Sequence, residues 1–189
     1  MKNSIDKLLN SVSKRRLLEI ARSTIEAYVK EQKESDFKED DEALKKEMGA
    51  FVTLHKHGQL RGCIGNMVGK GPLYLTIRDM AIAAATQDPR FPAVTEDELK
   101  DIEIEISVLS PLKRIEGPDD IVIGKHGVIV QKGFKSGVYL PQVATETGWS
   151  KNEFMDSLCA HKAGIPANSW KQSDCDIHIF TTEVFGEKE

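Results

Sequence analysis

The residues best suited to chemistry sit in short, turn-rich stretches. In Leu60-Arg61-Gly62-Cys63-Ile64-Gly65 a thiol stands between two glycines, where little side-chain bulk shields it and the backbone can approach a ligand. Arg61 precedes Cys63 by two residues, and on a strand that spacing puts both on one face. A guanidinium beside a thiol favours the thiolate and can hold an anion. Cys63 therefore reads as a nucleophile, with Arg61, Gly62 and Gly65 forming a ligand cradle. The other reading is a buried structural cysteine at a tight bend.

A second stretch, Asp88-Pro89-Arg90-Phe91-Pro92, is a stiff two-proline turn that holds Arg90 with little entropy left to lose. Arg61 and Arg90 converging on one pocket would suit a carboxylate or phosphate. Alternatively, Asp88 ends a helix or pairs with Arg90, a purely local arrangement. His126, in the turn Gly124-Lys125-His126-Gly127, is a candidate proton donor or acceptor. Gln142 falls in the first turn of a helix beginning at Pro141, where it offers an amide beside free N–H groups or simply marks a strand-to-helix junction.

Metal signals are weak. His55 with His57, and Asp176 with His178, each share a strand face as isolated pairs, whereas a metal site wants three or four ligands. There is no Cys-x-x-Cys pair and no iron–sulfur cysteine cluster, and the glycine-rich run Gly65–Gly71 lacks the Gly-Lys-Ser/Thr ending of a phosphate loop. No metal or cofactor is expected. Cys159 reads as core, and Cys175 has no partner in sequence. Trp149 and Trp170 have nothing basic interleaved with them, so they read as packing rather than base stacking.

These residues need elements to position them. Periodicity predicts a helix from Ser11 or Ser13, as cap, to about Lys30, with Leu17, Ala21, Ile25 and Tyr28 as its core stripe. The charge-dense stretch Glu31 to Glu47 reads as a solvated, mobile connection. Ala50–His57 and the segment to Met67 form a hairpin, and a second helix opens at Gly71-Pro72 and ends by Asp88. Thr95–Glu98 reads as a capped short helix. Ile102 to Val108 alternates most clearly of all. Short strands follow at Ile121–Ile123, Val128–Gln131 and Phe134–Leu140. A helical turn runs from Pro141 to Thr147, and Ser150 with Glu153 caps a helix to about Ala163 that stops at Gly164. Asp176 to Phe185 alternates as a final strand. Such a mixture, with hairpins and no regular βαβ rhythm, predicts an α+β fold with a largely antiparallel sheet and two related halves.

With 189 residues the chain can bury one sizeable core or two small packed lobes, and 40% apolar with 30% charged residues is ordinary for a globular protein. A net charge of −4 offers no basic field for nucleic acid or anionic lipid. No run approaches the length of a membrane span, and the polar N-terminus lacks a signal core. Three widely spaced cysteines fit a reducing cytoplasm rather than a disulfide framework. Neither a nucleic-acid nor a membrane partner is expected.

Taken together, Leu60-Arg61-Gly62-Cys63-Ile64-Gly65, Asp88-Pro89-Arg90-Phe91-Pro92, Leu140-Pro141-Gln142-Val143-Ala144 and Leu158-Cys159-x-x-Lys162-Ala163-Gly164 resemble the AMMECR domain family, whose prokaryotic members are called AmmeMemoRadiSam system protein A. The likeness runs from the first helix to the last strand. It implies one domain over residues 1–189, built of two intertwined lobes around a cleft, with the cysteine motif near that cleft. It also implies partnership with a Memo-type protein and a radical S-adenosylmethionine protein. The strand before Pro141 reads Val138-Tyr139-Leu140 where members often have paired leucines. Two expectations follow. In one, Cys63 is the nucleophile of an enzyme or enzyme-system component, with His126 moving protons and with Arg61, Gly62, Gly65, Asp88, Arg90 and Gln142 binding a small anionic or protein-borne substrate. In the other, the protein is a non-catalytic adaptor or binding module with Cys63 structural.

Overall fold

Helix α1 (Ser11–Glu31) is the first element of the computed structural model, which describes residues 8–188. It buries Leu17, Ile20, Ala21 and Ile25, the stripe that its three- and four-residue spacing requires. Its cap is Asn10, which accepts the Ser13 N–H at 2.8 Å, rather than Ser11 or Ser13. Ser13 is instead buried, and its hydroxyl donates to Asp41 at 2.5 Å. That contact belongs to the connection after α1, which is more firmly fastened than its charge suggests. Arg16 Nε donates to Glu39 at 2.7 Å, and Leu44 is fully buried. Local composition misreads this stretch because Glu39 and Asp41 find partners on α1 and Leu44 joins the core.

Strands β1 (Ala50–Lys56) and β2 (Gln59–Asn66) form an antiparallel hairpin. The two turn residues, His57 and Gly58, both have positive φ (52° and 76°), the conformation whose twist matches that of the flanking strands. His57 is therefore a turn residue, and the expected His55/His57 strand face does not form. β3 (Ile102–Leu109) pairs with β1, and β8 (Thr182–Gly186) completes the sheet in the order β2-β1-β3-β8. α2 (Leu73–Thr86) starts after Pro72, which takes the cap position, and ends before the Asp88-Pro89 peptide. One face of the sheet carries Val52, Leu54, Ile104 and Ile106 into a core shared with α1 and α2.

A second antiparallel sheet, ordered β4-β7-β5-β6, comprises β4 (Lys113–Ile115), β5 (Gly127–Lys132), β6 (Lys135–Tyr139) and β7 (Asp176–Phe180). Its core joins Val128, Val130, Ile177 and Ile179 to Phe154, Met155 and Leu158. α3 (Pro141–Thr147) and α4 (Lys151–Ser157) cover it, α4 bearing the expected Ser150/Glu153 capping box. α4 runs on through a π-helical turn, Leu158–Ala163, to Gly164, whose φ of 64° ends it. Gly137 explains the close seating of this turn: a Cβ there would lie 2.5 Å from the Ala163 nitrogen.

The chain divides into two compact units, one reaching Leu109 and resuming at Glu183, the other Ser110–Thr182. Each holds one sheet and its own helices, so the fold is α+β with antiparallel sheets, as expected. Two strands were misplaced. Ile121–Ile123 is a turn following the 3-10 segment Pro118–Asp120, with the Lys125 and His126 N–H groups donating to the Val122 carbonyl. The alternating run Asp176–Phe185 is two strands, β7 and β8, in different sheets. Thr181 breaks it by donating to Ser110 Oγ at 2.9 Å and accepting the Ser110 N–H at 2.9 Å.

Candidate functional site

Strand β2 carries the Leu60–Gly65 motif along an edge of its sheet. The Cys63 N–H points away from β1 and donates to Asp88 Oδ2 at 2.9 Å. Thr53 and Cys63, opposite each other across the hairpin, are thus a non-hydrogen-bonded pair, the kind whose side chains stand closest. Thr53 Oγ1 donates to Cys63 Sγ at 3.3 Å. The glycines on either side serve close approach. A Cβ at Gly62 would meet the Ala84 carbonyl oxygen at 2.2 Å, and one at Gly65 would meet the Phe51 ring at 2.3 Å. β2 can lie against α2, and Phe51 can cover β2, only because these positions lack side chains.

Asp88 organises the site. Its side chain is 2% exposed, yet it accepts four hydrogen bonds: the Cys63 N–H, the Arg90 N–H at 3.1 Å, Arg90 Nε at 2.9 Å and Arg90 Nη2 at 2.7 Å. The Arg90 guanidinium holds the carboxyl far below the ordinary carboxylate range, against the opposing effect of burial. Asp88 in turn raises the pKa of Arg90, and the nearby Cys63 adds to the rise. The Arg90 side chain remains 55% exposed, its Cζ 5.5 Å from the Phe91 ring centre. A cation is thus fixed on its inner edge and open on its outer one.

Arg61 turns its guanidinium to Glu98. Leu54 opposes Gly62 while His55 opposes Leu60, so Arg61 is the extra residue of a β-bulge, and bulges re-aim side chains. Its Nε and Nη2 grip the two Glu98 oxygens at 3.0 and 2.9 Å, and Nη1 donates to the Pro92 carbonyl at 2.9 Å. Glu98 also accepts Lys56 Nζ at 2.9 Å and the Thr95 N–H at 3.0 Å. These bonds, Arg61's first among them, depress its pKa strongly. The two arginines converge on Phe91, Arg61 Cζ lying 6.0 Å from the ring centre, each neutralised by its own carboxylate.

Cys63, Asp88 and Arg90 therefore come together, with Gly62 and Gly65 shaping the strand and Arg61 bracing the loop ahead of β3. His126 and Gln142 belong to the other unit. His126 Nδ1 accepts the Val122 N–H at 3.2 Å, which leaves the proton of the neutral ring on Nε2. Burial, then Lys125, pushes its pKa down. Gln142 is exposed in the first turn of the seven-residue α3. Sequence reasoning missed Thr53, Glu98 and Phe91. Phe91 stands within a motif already singled out, but only strand register reveals Thr53.

The AMMECR1 family model matches residues 18–185. Protein MK0488 of Methanopyrus kandleri is 42% identical over 182 residues, covering 92% of this chain and 87% of the relative. Protein PYRAB00100 of Pyrococcus abyssi is 42% identical over 183 residues, covering 91% of this chain and 89% of its own. The crystal structure of "Uncharacterized Protein PH0010" from Pyrococcus horikoshii superposes with a TM-score of 0.82 at 38% identity, covering 96% of this chain and 95% of that one. With matches of this extent, the chain belongs to the AMMECR1 family.

Proposed function

We propose that the protein uses the Cys63–Asp88–Arg90 corner to bind a small anionic or protein-borne substrate and to react with it through the thiol, acting with Memo-type and radical S-adenosylmethionine proteins. Arg90 carries this reading: a guanidinium anchored by a buried carboxylate, half-exposed, and bound to the same carboxylate as the Cys63 amide. In this scheme Arg90 seats the anion, Asp88 orients both Arg90 and the Cys63 backbone, and Cys63 is the nucleophile. Arg61 acts indirectly, through Glu98. No step is routed through His126 or Gln142. Three free cysteines support a reducing compartment, the cytoplasm. Among the described residues no helix is long and apolar enough to cross a membrane.

A second reading, favoured by the Thr53 and Asp88 bonds that hold Cys63 in place, is a non-catalytic adaptor or binding module with a structural thiol. Reconstitution with the two partner proteins, followed by mass analysis of Cys63, separates the two. Under the first reading Cys63→Ser abolishes product or adduct while the protein stays folded and partner-bound. Full function in Cys63→Ser, with binding lost in Arg90→Ala, would establish the adaptor instead.

A further inference from the structure

We infer that Thr53 is a positioning residue for Cys63, an inference that rests on the thiol site proposed above. Three constraints meet at this pair. The Asp88 bond turns the Cys63 amide away from β1, which fixes the non-hydrogen-bonded pairing with Thr53. Threonine is β-branched and stiff at χ1, so its hydroxyl stays where the strand puts it. That hydroxyl lies 3.3 Å from Sγ and donates to it.

Thr53 also faces β3, where Glu105 stands opposite, so a row Cys63–Thr53–Glu105 crosses three strands. Within that row Thr53 stands between Cys63 and Glu105, and its hydroxyl is the group that donates to the sulfur. A donor at this position selects one rotamer of Cys63 and hydrogen-bonds the sulfur in the thiolate form from which it attacks. The site thus consists of a sulfur aimed by Thr53 and an anion seat at Arg90. It suits an electrophile that carries a carboxylate or phosphate near its reacting carbon.

The test is alkylation of Cys63 in the intact protein with neutral iodoacetamide and anionic iodoacetate, read by mass analysis of the Cys63 peptide. In both reactions sulfur forms a bond to the methylene carbon and iodide leaves with the bonding pair. Thr53→Val keeps the branched shape and removes the donor, and it should slow both reagents by about tenfold. Thr53→Ser should return the rate to within roughly twofold of the parent, which a merely structural role for the side chain would not predict. Thr53→Ala serves as a second donor-free variant, and melting curves establish that each variant is folded. Parental rates in both Thr53→Val and Thr53→Ala would overturn the inference, as would a Thr53→Ser protein as slow as Thr53→Val. Arg90→Gln tests the underlying reading separately: it should slow iodoacetate more than iodoacetamide, a difference that added salt should shrink. Equal effects on the two reagents would reject the anion seat and leave the Thr53 result standing.

Discussion

Replacing Gly62 by alanine tests the steric account of the cysteine motif most directly. The added Cβ would lie 2.2 Å from the Ala84 carbonyl oxygen and 3.2 Å from its carbon. An ordinary carbon–oxygen contact needs about 3.3 Å, so β2 and the last turn of α2 must separate by about 1 Å. Neither side can yield cheaply. The obstructing atom is backbone, and Ala81, Ala84 and Ala85 beside it are all buried against the core. Overpacking of this kind costs about 1–3 kcal/mol, and a backbone obstruction belongs at the upper end. At about 2–4 °C per kcal/mol for a chain of this size, Gly62→Ala should melt about 6–12 °C below the parent.

Two further readouts make that expectation specific. Separation of β2 from α2 also strains the Cys63 N–H bond to Asp88, which sits just past the end of α2, so amide exchange at Cys63 should accelerate. The control is Gly71→Ala. A Cβ there meets nothing within 4 Å and the backbone is not left-handed, so the melting temperature should hold or rise slightly. If Gly62→Ala melted with the parent and protected the Cys63 amide equally well, the close approach of β2 to α2 would not be what this glycine serves.

Other expectations follow from the charged pairs and the buried thiols. Glu98→Gln weakens a fork that receives Arg61, Lys56 and the Thr95 amide, and should cost about 2 kcal/mol in denaturant titration. Asp88 and Glu98 both have pKa values depressed in the folded state, so in acid the unfolded chain takes up their protons first. Their contribution is complete above the ordinary values of 3.8 and 4.5 and drains away as pH falls below them. Melting temperature against pH should therefore show an acid limb beginning near pH 5, which Asp88→Asn and Glu98→Gln each flatten. Cys159 behaves oppositely: burial, first among its causes, pushes its pKa from 9.0 up to about 11. Its contribution is intact below 9 and is lost as pH rises towards 11, when the unfolded chain ionises first. Native-state alkylation at neutral pH should accordingly mark Cys63 and spare Cys159, and comparable labelling of both would contradict the burial described.

Where a residue's neighbours along the chain decide its state, the sequence was enough. Ile102–Leu109 alternates because one sheet face is buried, Ser150 and Glu153 cap α4 by local bonds, and α2 stops where Pro89 forbids helix at Asp88. Failures occur where a distant partner decides. Asn10 wins the α1 cap because Asp41 claims Ser13, and Leu44 is buried within a stretch that composition marks as solvated. β4 spans three residues, too few to show a period, and is a strand only because β7 pairs with it. The final run does carry a local sign of its break. Ile179 and Phe180 are buried consecutively, which alternation forbids, just before the chain changes sheets at Thr181.

The candidate site divides along the same line. That Arg90 would be held rigidly was legible in Asp88-Pro89-Arg90-Phe91-Pro92, and its partner is indeed Asp88, two residues away. The local pairing does form, and the carboxylate that pairs with Arg90 also receives the Cys63 amide. The position of Arg61 was not legible. Its two-residue spacing from Cys63 promises a shared face only on a regular strand, and the bulge opposite Leu54 and His55 cancels that promise. One extra residue in β2 sends the Arg61 guanidinium to Glu98 and leaves Thr53, from the neighbouring strand, as the polar group at the sulfur. The surroundings of Cys63 therefore depend less on the residues beside it in sequence than on strand register, which puts a hydroxyl at the sulfur, and on the turn after α2, which brings a carboxylate and a cation.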